Sequence, residues 1–227
     1  MSRPITLVID ERLVQAPEGE RLLWVALDSG IHIPHLCASR EADSPHASCR
    51  LCLVEVEGEK RPVAACAYPV REGMVVRTSS PRVDRLVRRA LHLLLSRHHL
   101  DCASCPARAR CRLREIARRK HLRLKPEGLT ALPFPTETDA SAGTFVYYAG
   151  RCVLCGRCVR ACREKGAGIL GLIRRGLDRR VATFGEAPRA EASCRGCGAC
   201  VEVCPVGALY YRADQPSARE LQTAEPF

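Results

Sequence analysis

No stretch of this 227-residue sequence approaches the roughly eighteen consecutive apolar residues that a membrane-spanning helix needs. The first residues, Met-Ser-Arg-Pro-Ile-Thr, lack the apolar centre and small-residue cleavage site of a secretory signal, which points to the cytoplasm. There is also no Gly-x-Gly-x-x-Gly motif after an early strand, so nothing in the residues places a dinucleotide on this chain. An odd number of cysteines, 15, excludes a fully paired disulfide framework. CxxC repeats fit metal ligation in a reducing compartment better.

All 15 cysteines fall into cluster-ligand patterns. Eight stand in two tight runs: Cys152, Cys155, Cys158 and Cys162, then Cys194, Cys197, Cys200 and Cys204, the last followed by Pro205. Three thiolates two residues apart, a fourth after three more, and a repeat of the same pattern favour paired [4Fe-4S] clusters over structural zinc, which also uses CxxC pairs. In such two-cluster ferredoxins the fourth cysteine crosses to the other cluster. Cys152, Cys155, Cys158 and Cys204 are therefore expected to hold one [4Fe-4S], and Cys162, Cys194, Cys197 and Cys200 the other. Arg163 stands where Pro205 stands in the second run, and proline there shapes the loop exit without supplying a ligand.

The remaining sets are less diagnostic. Cys37, Cys49, Cys52 and Cys66 include one CxxC pair that could serve zinc equally well, and Cys66 could be a small buried apolar residue. Cys102, Cys105 and Cys111 leave one corner of a [4Fe-4S] open, which His98 can close if the preceding helix brings its imidazole to the loop. A lone surface histidine is the bland reading of His98.

The formal charge of +11 raises nucleic acid as a partner. Thiolate-ligated clusters change that balance: three all-thiolate sites and one with a neutral histidine remove about seven charges, leaving about +4. Arg82, Arg85, Arg88 and Arg89 read as a solvated helix surface.

The pattern of apolar residues gives an α+β chain. Ile5–Ile9 reads as a strand, with Arg12 to Val14 pairing back across Asp10-Glu11, and residues 22–27 as a short helix. Leu53 to Glu57 alternates as a strand ended by Gly58, with a return strand over 63–67. Ser80 caps a helix that begins with Pro81, and Val83, Leu86, Val87, Ala90, Leu91 and Leu94 are expected to line its buried face. A connector follows, rich in proline, glycine and hydroxyl residues, with Leu132 and Phe134 pinning it down. Residues 145–148 form an entering strand and 168–185 a hairpin between the two cysteine runs. The divisions expected are 1–78, 79–124, a connector 125–143, and 144–227. Modules this short need a staple, which bound clusters can be, so the apoprotein should fold poorly.

Two segments resemble a known family. Ile31-His-Ile-Pro-His-Leu-Cys37 followed by Cys49-Arg-Leu-Cys52-Leu-Val-Glu-Val56 is similar to the amino domain of the complex I electron-input subunit, and His98 with Cys102, Cys105 and Cys111 resembles its histidine-ligated segment. The resemblance runs over roughly residues 3–212 and is nearest to the small iron-sulfur subunits of the NAD-linked diaphorase in bidirectional nickel-iron hydrogenases. It implies a β-grasp [2Fe-2S] ferredoxin domain held by Cys37, Cys49, Cys52 and Cys66, a short helical His/Cys3 [4Fe-4S] segment, and a two-cluster bacterial ferredoxin-like domain. Departures are Ala47 where the family has glycine, His99 where it often has proline, and Arg114 where it often has glutamine.

The resemblance further implies a non-catalytic electron-transfer subunit of an oxidoreductase complex, with FMN and NAD on a partner diaphorase subunit and a hydrogenase small subunit and catalytic module beyond. Complex I large subunits continue into a molybdopterin-oxidoreductase-like domain that this sequence is not expected to carry. An NAD-dependent formate dehydrogenase or another complex I-like enzyme is the alternative assembly, and an independent multi-cluster carrier another. A zinc-stabilised nucleic-acid scaffold would instead carry about four zinc ions and bind RNA or DNA in a salt-sensitive way.

Overall fold

The computed structural model describes residues 3–125, 128, 132–184 and 189–214, and the chain divides into two units at Leu91/His92. In the first unit, β1 (Pro4–Ile9) and β2 (Arg12–Pro17) pair antiparallel in the register Leu7 to Val14. Asp10 and Glu11 both take positive φ, 47° and 65°, the turn geometry whose twist matches two strands joined by two residues. Ile5, Leu7 and Ile9 alternate inward, against Leu22, Leu23, Val25 and Ala26 of α1 (Leu22–Asp28) in one core.

β3 (Leu53–Val56) and β4 (Val63–Ala64) pair antiparallel, and β5 (Val75–Arg77) completes a five-stranded mixed sheet in the order β2-β1-β5-β3-β4. β5 runs parallel to β1 and antiparallel to β3, so a strand of only three residues links the two hairpins. The return strand expected over 63–67 stops at Ala64 and gives way to a 3-10 turn at Ala65–Ala67. That turn buries Cys66 in the core beside Cys52, whereas a continued strand would alternate its side chains.

α2 (Pro81–Leu95) starts as its sequence indicates: the Val83 amide donates to Ser80 Oγ at 3.2 Å, and Pro81 takes the first helical position. Its buried stripe is Val83, Val87, Leu91 and Leu95. Leu86, expected in that stripe, is exposed, and Ala90 and Leu94 are not fully buried. Four-residue steps keep one ridge inward, while Leu86 lies one position around the helix from it. Arg82, Arg85, Arg88 and Arg89 lie outside that buried stripe.

The second unit holds α3 (Arg112–Arg119), β6 (Thr138–Asp139), β7 (Phe145–Tyr148), α4 (Arg157–Lys165), β8 (Leu170–Ile173), β9 (Arg180–Thr183), α5 (Arg189–Ser193), α6 (Ala199–Glu202) and β10 (Leu209–Tyr211). β7 is buried throughout and lies between β10 and β6 in a three-stranded antiparallel sheet. β8 and β9 form the hairpin expected between the cysteine runs, in the register Leu172 to Val181. Phe134 stacks on His99 with ring centroids 5.0 Å apart, whereas Leu132 holds its segment through its backbone, donating to the Ser96 carbonyl at 2.8 Å. The part of the connector around Pro126, Gly185 at the end of the hairpin, and the tail after Asp214 lie outside the described residues.

Candidate iron-sulfur ligand sites

The four cysteines of the first unit meet in its core. Cys37, Cys49, Cys52 and Cys66 are all buried, and the sulfurs of Cys37 and Cys49 lie 3.4 Å apart, sharing one S–H···S hydrogen bond. That bond pulls the Cys37 thiol down to about 5, while the same bond and burial push Cys49 up. Cys52 and Cys66 form a second hydrogen-bonded pair in which Cys52 is raised and Cys66 lowered. Four buried sulfurs in two close pairs are a set of soft thiolate donors that suits an iron-sulfur cluster and that a role as inert apolar filler does not require.

The loop carrying Cys49 and Cys52 is wound left-handed at two residues, Ala47 (φ 47°) and Arg50 (φ 54°). The family's glycine position is therefore one where the backbone does adopt positive φ, and Ala47 takes it without a glycine's freedom.

In the second unit the two long runs repeat one backbone pattern. Leu154 and Gly156 have φ of 52° and 74°, and Gly196 and Gly198, the same distances after Cys194, have 62° and 67°. Alternation of this kind turns successive amides toward one concave side, a nest for an anion, and the Leu154 amide already points at Cys152 Sγ at 3.4 Å.

The electrostatic neighbours of each thiol sort the eight cysteines. Cys204 acts on Cys152, Cys155 and Cys158, with Cys200 also acting on Cys158, while Cys162 acts on Cys200 together with Cys194 and Cys197. The structure thus brings Cys204 to the first run and Cys162 to the second. Burial is the main cause of the raised thiols, at about 11 for Cys152 and about 12 for Cys155 and Cys200. Neutral thiols are what such surroundings favour unless a cation binds them.

Arg163 falls inside α4, which runs on to Lys165, whereas α6 ends at Glu202 just ahead of Cys204-Pro205. Proline is poorly tolerated in a helix interior, so the arginine goes with the longer helix and leaves the Cys162 thiol in place.

The third set gathers around the end of α2. His98 follows it closely, with its amide donating to the Leu95 carbonyl at 3.1 Å. Its imidazole is hydrogen-bonded to the backbone of Arg151, and its Nδ1 is buried with no partner. Burial and the Arg151 charge lower it to about 4, so it is a neutral base with a free lone pair, as ligation requires. Cys102 and Cys111 are raised by burial and by their shared neighbour Cys105. Cys111 sits at the start of α3, where the amides of Leu113 and Arg114 face its sulfur and partly offset that burial. Arg114 contributes its backbone there, while its guanidinium donates to the Arg108 carbonyl at 2.6 Å.

Gly207 closes this site from the other side: a Cβ on it would come well inside 3.0 Å of Cys105 Sγ. The Arg112 amide also donates to the Pro205 carbonyl at 2.9 Å, so the residues after the last cysteine form a wall of the His98 site.

Two residues here, Tyr147 and Arg151, escaped the sequence reading, and a third, His99, stood there only as a departure from proline. Tyr147 hydrogen-bonds Cys152 with its hydroxyl and accepts the Val181 amide at 3.3 Å. Arg151 is fully buried among His98, Asp101 and Ser104. His99 bonds Tyr148 Oη at 2.8 Å through Nδ1, and its amide donates to the Gly150 carbonyl at 2.7 Å, a bond proline could not make. Only adjacency to Cys152 marks Arg151 in the sequence, and no periodicity singles out Tyr147. Among the described residues, no group of three or more His, Cys, Asp or Glu side chains is arranged to hold a single metal ion, and no helix is long and apolar enough to cross a membrane.

Family models match three parts of the chain: a 2Fe-2S iron-sulfur cluster binding domain at residues 2–81, an NADH-ubiquinone oxidoreductase-G iron-sulfur binding region at 88–123, and a 4Fe-4S dicluster domain at 151–208. An NADH-quinone oxidoreductase subunit of Rhizobium meliloti is 37% identical over 97% of this chain and 26% of its own length. The NADP-reducing hydrogenase subunit HndD of Solidesulfovibrio fructosivorans is 36% identical over 90% of this chain and 36% of its own. The chain thus spans about a quarter to a third of these relatives. A chain in the crystal structure of an NAD+-reducing [NiFe]-hydrogenase in the H2-reduced state superposes with a TM-score of 0.80 at 31% identity, covering 92% of this chain and 88% of that one.

Proposed function

The chain belongs to the iron-sulfur electron-transfer subunits shared by NAD+-reducing [NiFe]-hydrogenase and NADH-quinone oxidoreductase, and we propose that it links an NAD(H)-reactive FMN diaphorase subunit to a nickel-iron hydrogenase module. The likeness to a hydrogenase chain over most of both lengths carries this reading. Bound clusters would supply one-electron redox chemistry, and this chain's residues would hold them, exclude water and set their potentials.

One [2Fe-2S] would be held by Cys37, Cys49, Cys52 and Cys66. Three [4Fe-4S] would be held by His98, Cys102, Cys105 and Cys111; by Cys152, Cys155, Cys158 and Cys204; and by Cys162, Cys194, Cys197 and Cys200. The orphaned Nδ1 of His98, the paired sulfurs of the first set and the repeated left-handed turns of the last two support that fit. The parallel β1/β5 pairing inside a mixed sheet with α1 supports reading the first unit as a β-grasp domain. The finer divisions at 1–78, 79–124, 125–143 and 144–227, and a cytoplasmic location, belong to the same proposal.

Anaerobic native purification tests it: the protein should co-purify with an FMN-containing subunit, and NADH should reduce its clusters only in that complex. Iron-loaded protein that is always monomeric would overturn the linking role in favour of a mobile carrier. The likeness to an NADH-quinone oxidoreductase over nearly the whole chain favours, as a second reading, a complex I-like assembly, to which a formate-oxidising one is the related alternative. Hydrogenase and formate dehydrogenase assays on the same native complex separate the two. His98→Ala should remove or alter one [4Fe-4S] signal alone, and an unchanged spectrum would refute its role as a ligand.

A further inference from the structure

Arg151 is the most buried charge among the described residues, with its side chain about 1% exposed. A guanidinium so far from water is costly unless its donors and its charge are matched. Here they are matched only in part. Nη2 lies 3.7 Å from Asp101 Oδ2 and 3.4 Å from Ser104 Oγ, and the guanidinium stands 5.2 Å from the Tyr148 ring centroid. Nε and Nη1 are buried with no hydrogen-bond partner. Asp101 is itself shared, since it also accepts from the amide and hydroxyl of Ser104.

This cation adjoins the His98 donor set. His98 and Cys102 both feel its charge, and the Arg151 backbone bonds the His98 imidazole. Gly207 fixes the remaining distance: the position of a Cβ there is 3.5 Å from Arg151 Cδ and in contact range of Cys105 Sγ, so those two atoms lie within about 6 Å. Arg151 is thus walled in by residues of one proposed cluster and joined by a peptide bond to Cys152 of another.

We propose that Arg151 is a positioning and potential-setting residue of the His98/Cys102/Cys105/Cys111 centre: a built-in counter-cation whose two free donors are matched by the anionic cluster bound there. This rests on the ligand assignment proposed above. It explains a buried charge that the protein alone leaves half-paired, because a [4Fe-4S] with one histidine and three thiolates is anionic. It also assigns Asp101 a part, as the carboxylate that orients the guanidinium and moderates its charge.

Adding an electron to a centre is easier beside a fixed positive charge. With Cδ and Sγ this close, a charge separation on the order of 6 Å at an effective dielectric of about 20 gives, as an order of magnitude, a roughly 100-fold shift in the reduced-to-oxidised ratio. For a one-electron couple that is about 120 mV. Arg151→Gln should lower the potential of this centre by up to that amount, Arg151→Lys should keep most of it, and Asp101→Asn should raise it.

The experiment is an EPR-monitored redox titration of the full chain carrying its clusters, with iron and sulfide counted for each variant. A wild-type protein without iron at this site would overturn the ligand assignment and this inference with it. A loaded wild type with an Arg151→Gln variant that is equally loaded and unshifted would overturn this inference alone. If Arg151→Gln fails to load, Asp101→Asn decides: an upward shift supports the inference, and no shift overturns it. A purely structural role would make Arg151→Gln and Arg151→Lys lose iron alike while leaving the potential of the Asp101→Asn centre unmoved.

Discussion

Replacing Gly207 by alanine tests whether Cys105 is held by a cluster. Gly207 does not take positive φ, so the substitution adds no backbone strain and acts only through its methyl. That methyl would stand well inside 3.0 Å of Cys105 Sγ, with Ala107 Cβ and Arg151 Cδ each 3.5 Å away in ordinary contact. Relief needs a displacement of about 1 Å, and overpacking of this kind costs about 1–3 kcal/mol where nothing can swing away. A free thiol would rotate to another rotamer at about 1 kcal/mol or less. A ligating sulfur cannot, because metal-ligand distances tolerate only about 0.2 Å. The expected outcome is loss of about four of about 14 iron atoms, or a changed signal from that centre, with the other centres intact. Iron counting and low-temperature EPR of the anaerobically purified variant read this directly. A Gly207→Ala protein with full iron and an unchanged spectrum would refute the account of Cys105.

Other perturbations have equally specific outcomes. Tyr147→Phe removes the hydroxyl that bonds Cys152, and the potential of that centre should fall, by up to about 60 mV for a tenfold change in ratio, in an EPR titration. Ala47→Gly relieves an alanine held at φ 47°, a strain of about 1–2 kcal/mol, against a gain in unfolded-state freedom of about 0.4–1 kcal/mol. The [2Fe-2S] absorption should therefore decay about two- to fivefold more slowly in denaturant. Stripping iron with a chelator should unfold the second unit, whose helices α5 and α6 have only five and four residues, while β1 and β5 of the first keep their sheet. Hydrogen exchange should show rapid exchange in α4 and β10 and lasting protection in β1, and equal protection of all of them in the apoprotein would contradict the stapling role.

Elements whose signal is local were legible in the sequence. The β1/β2 hairpin follows from alternation around Asp10-Glu11, α2 from Ser80-Pro81, and β8/β9 from apolar runs around Arg174-Arg175-Gly176. β5 was not, because three residues carry no periodicity and its place depends on pairing with β1, far away in the chain. The position of Leu86 was misread because three- and four-residue steps describe overlapping helix faces, and only packing selects Val83, Val87, Leu91 and Leu95. Cysteine spacing is likewise local and marks the last eight candidate ligands by itself, whereas the Cys37, Cys49, Cys52 and Cys66 set and His98 with its three cysteines drew on the family resemblance. Arg151, Tyr147 and Gly207 matter through contacts made across the fold, and no spacing rule reaches them.

The central claim is that this chain is an iron-sulfur wire, and metal and sulfide analysis of the anaerobically purified native protein tests it most directly. About 14 iron atoms and about 14 acid-labile sulfides per chain are predicted, for one [2Fe-2S] and three [4Fe-4S]. About four zinc ions with neither iron nor sulfide would contradict it.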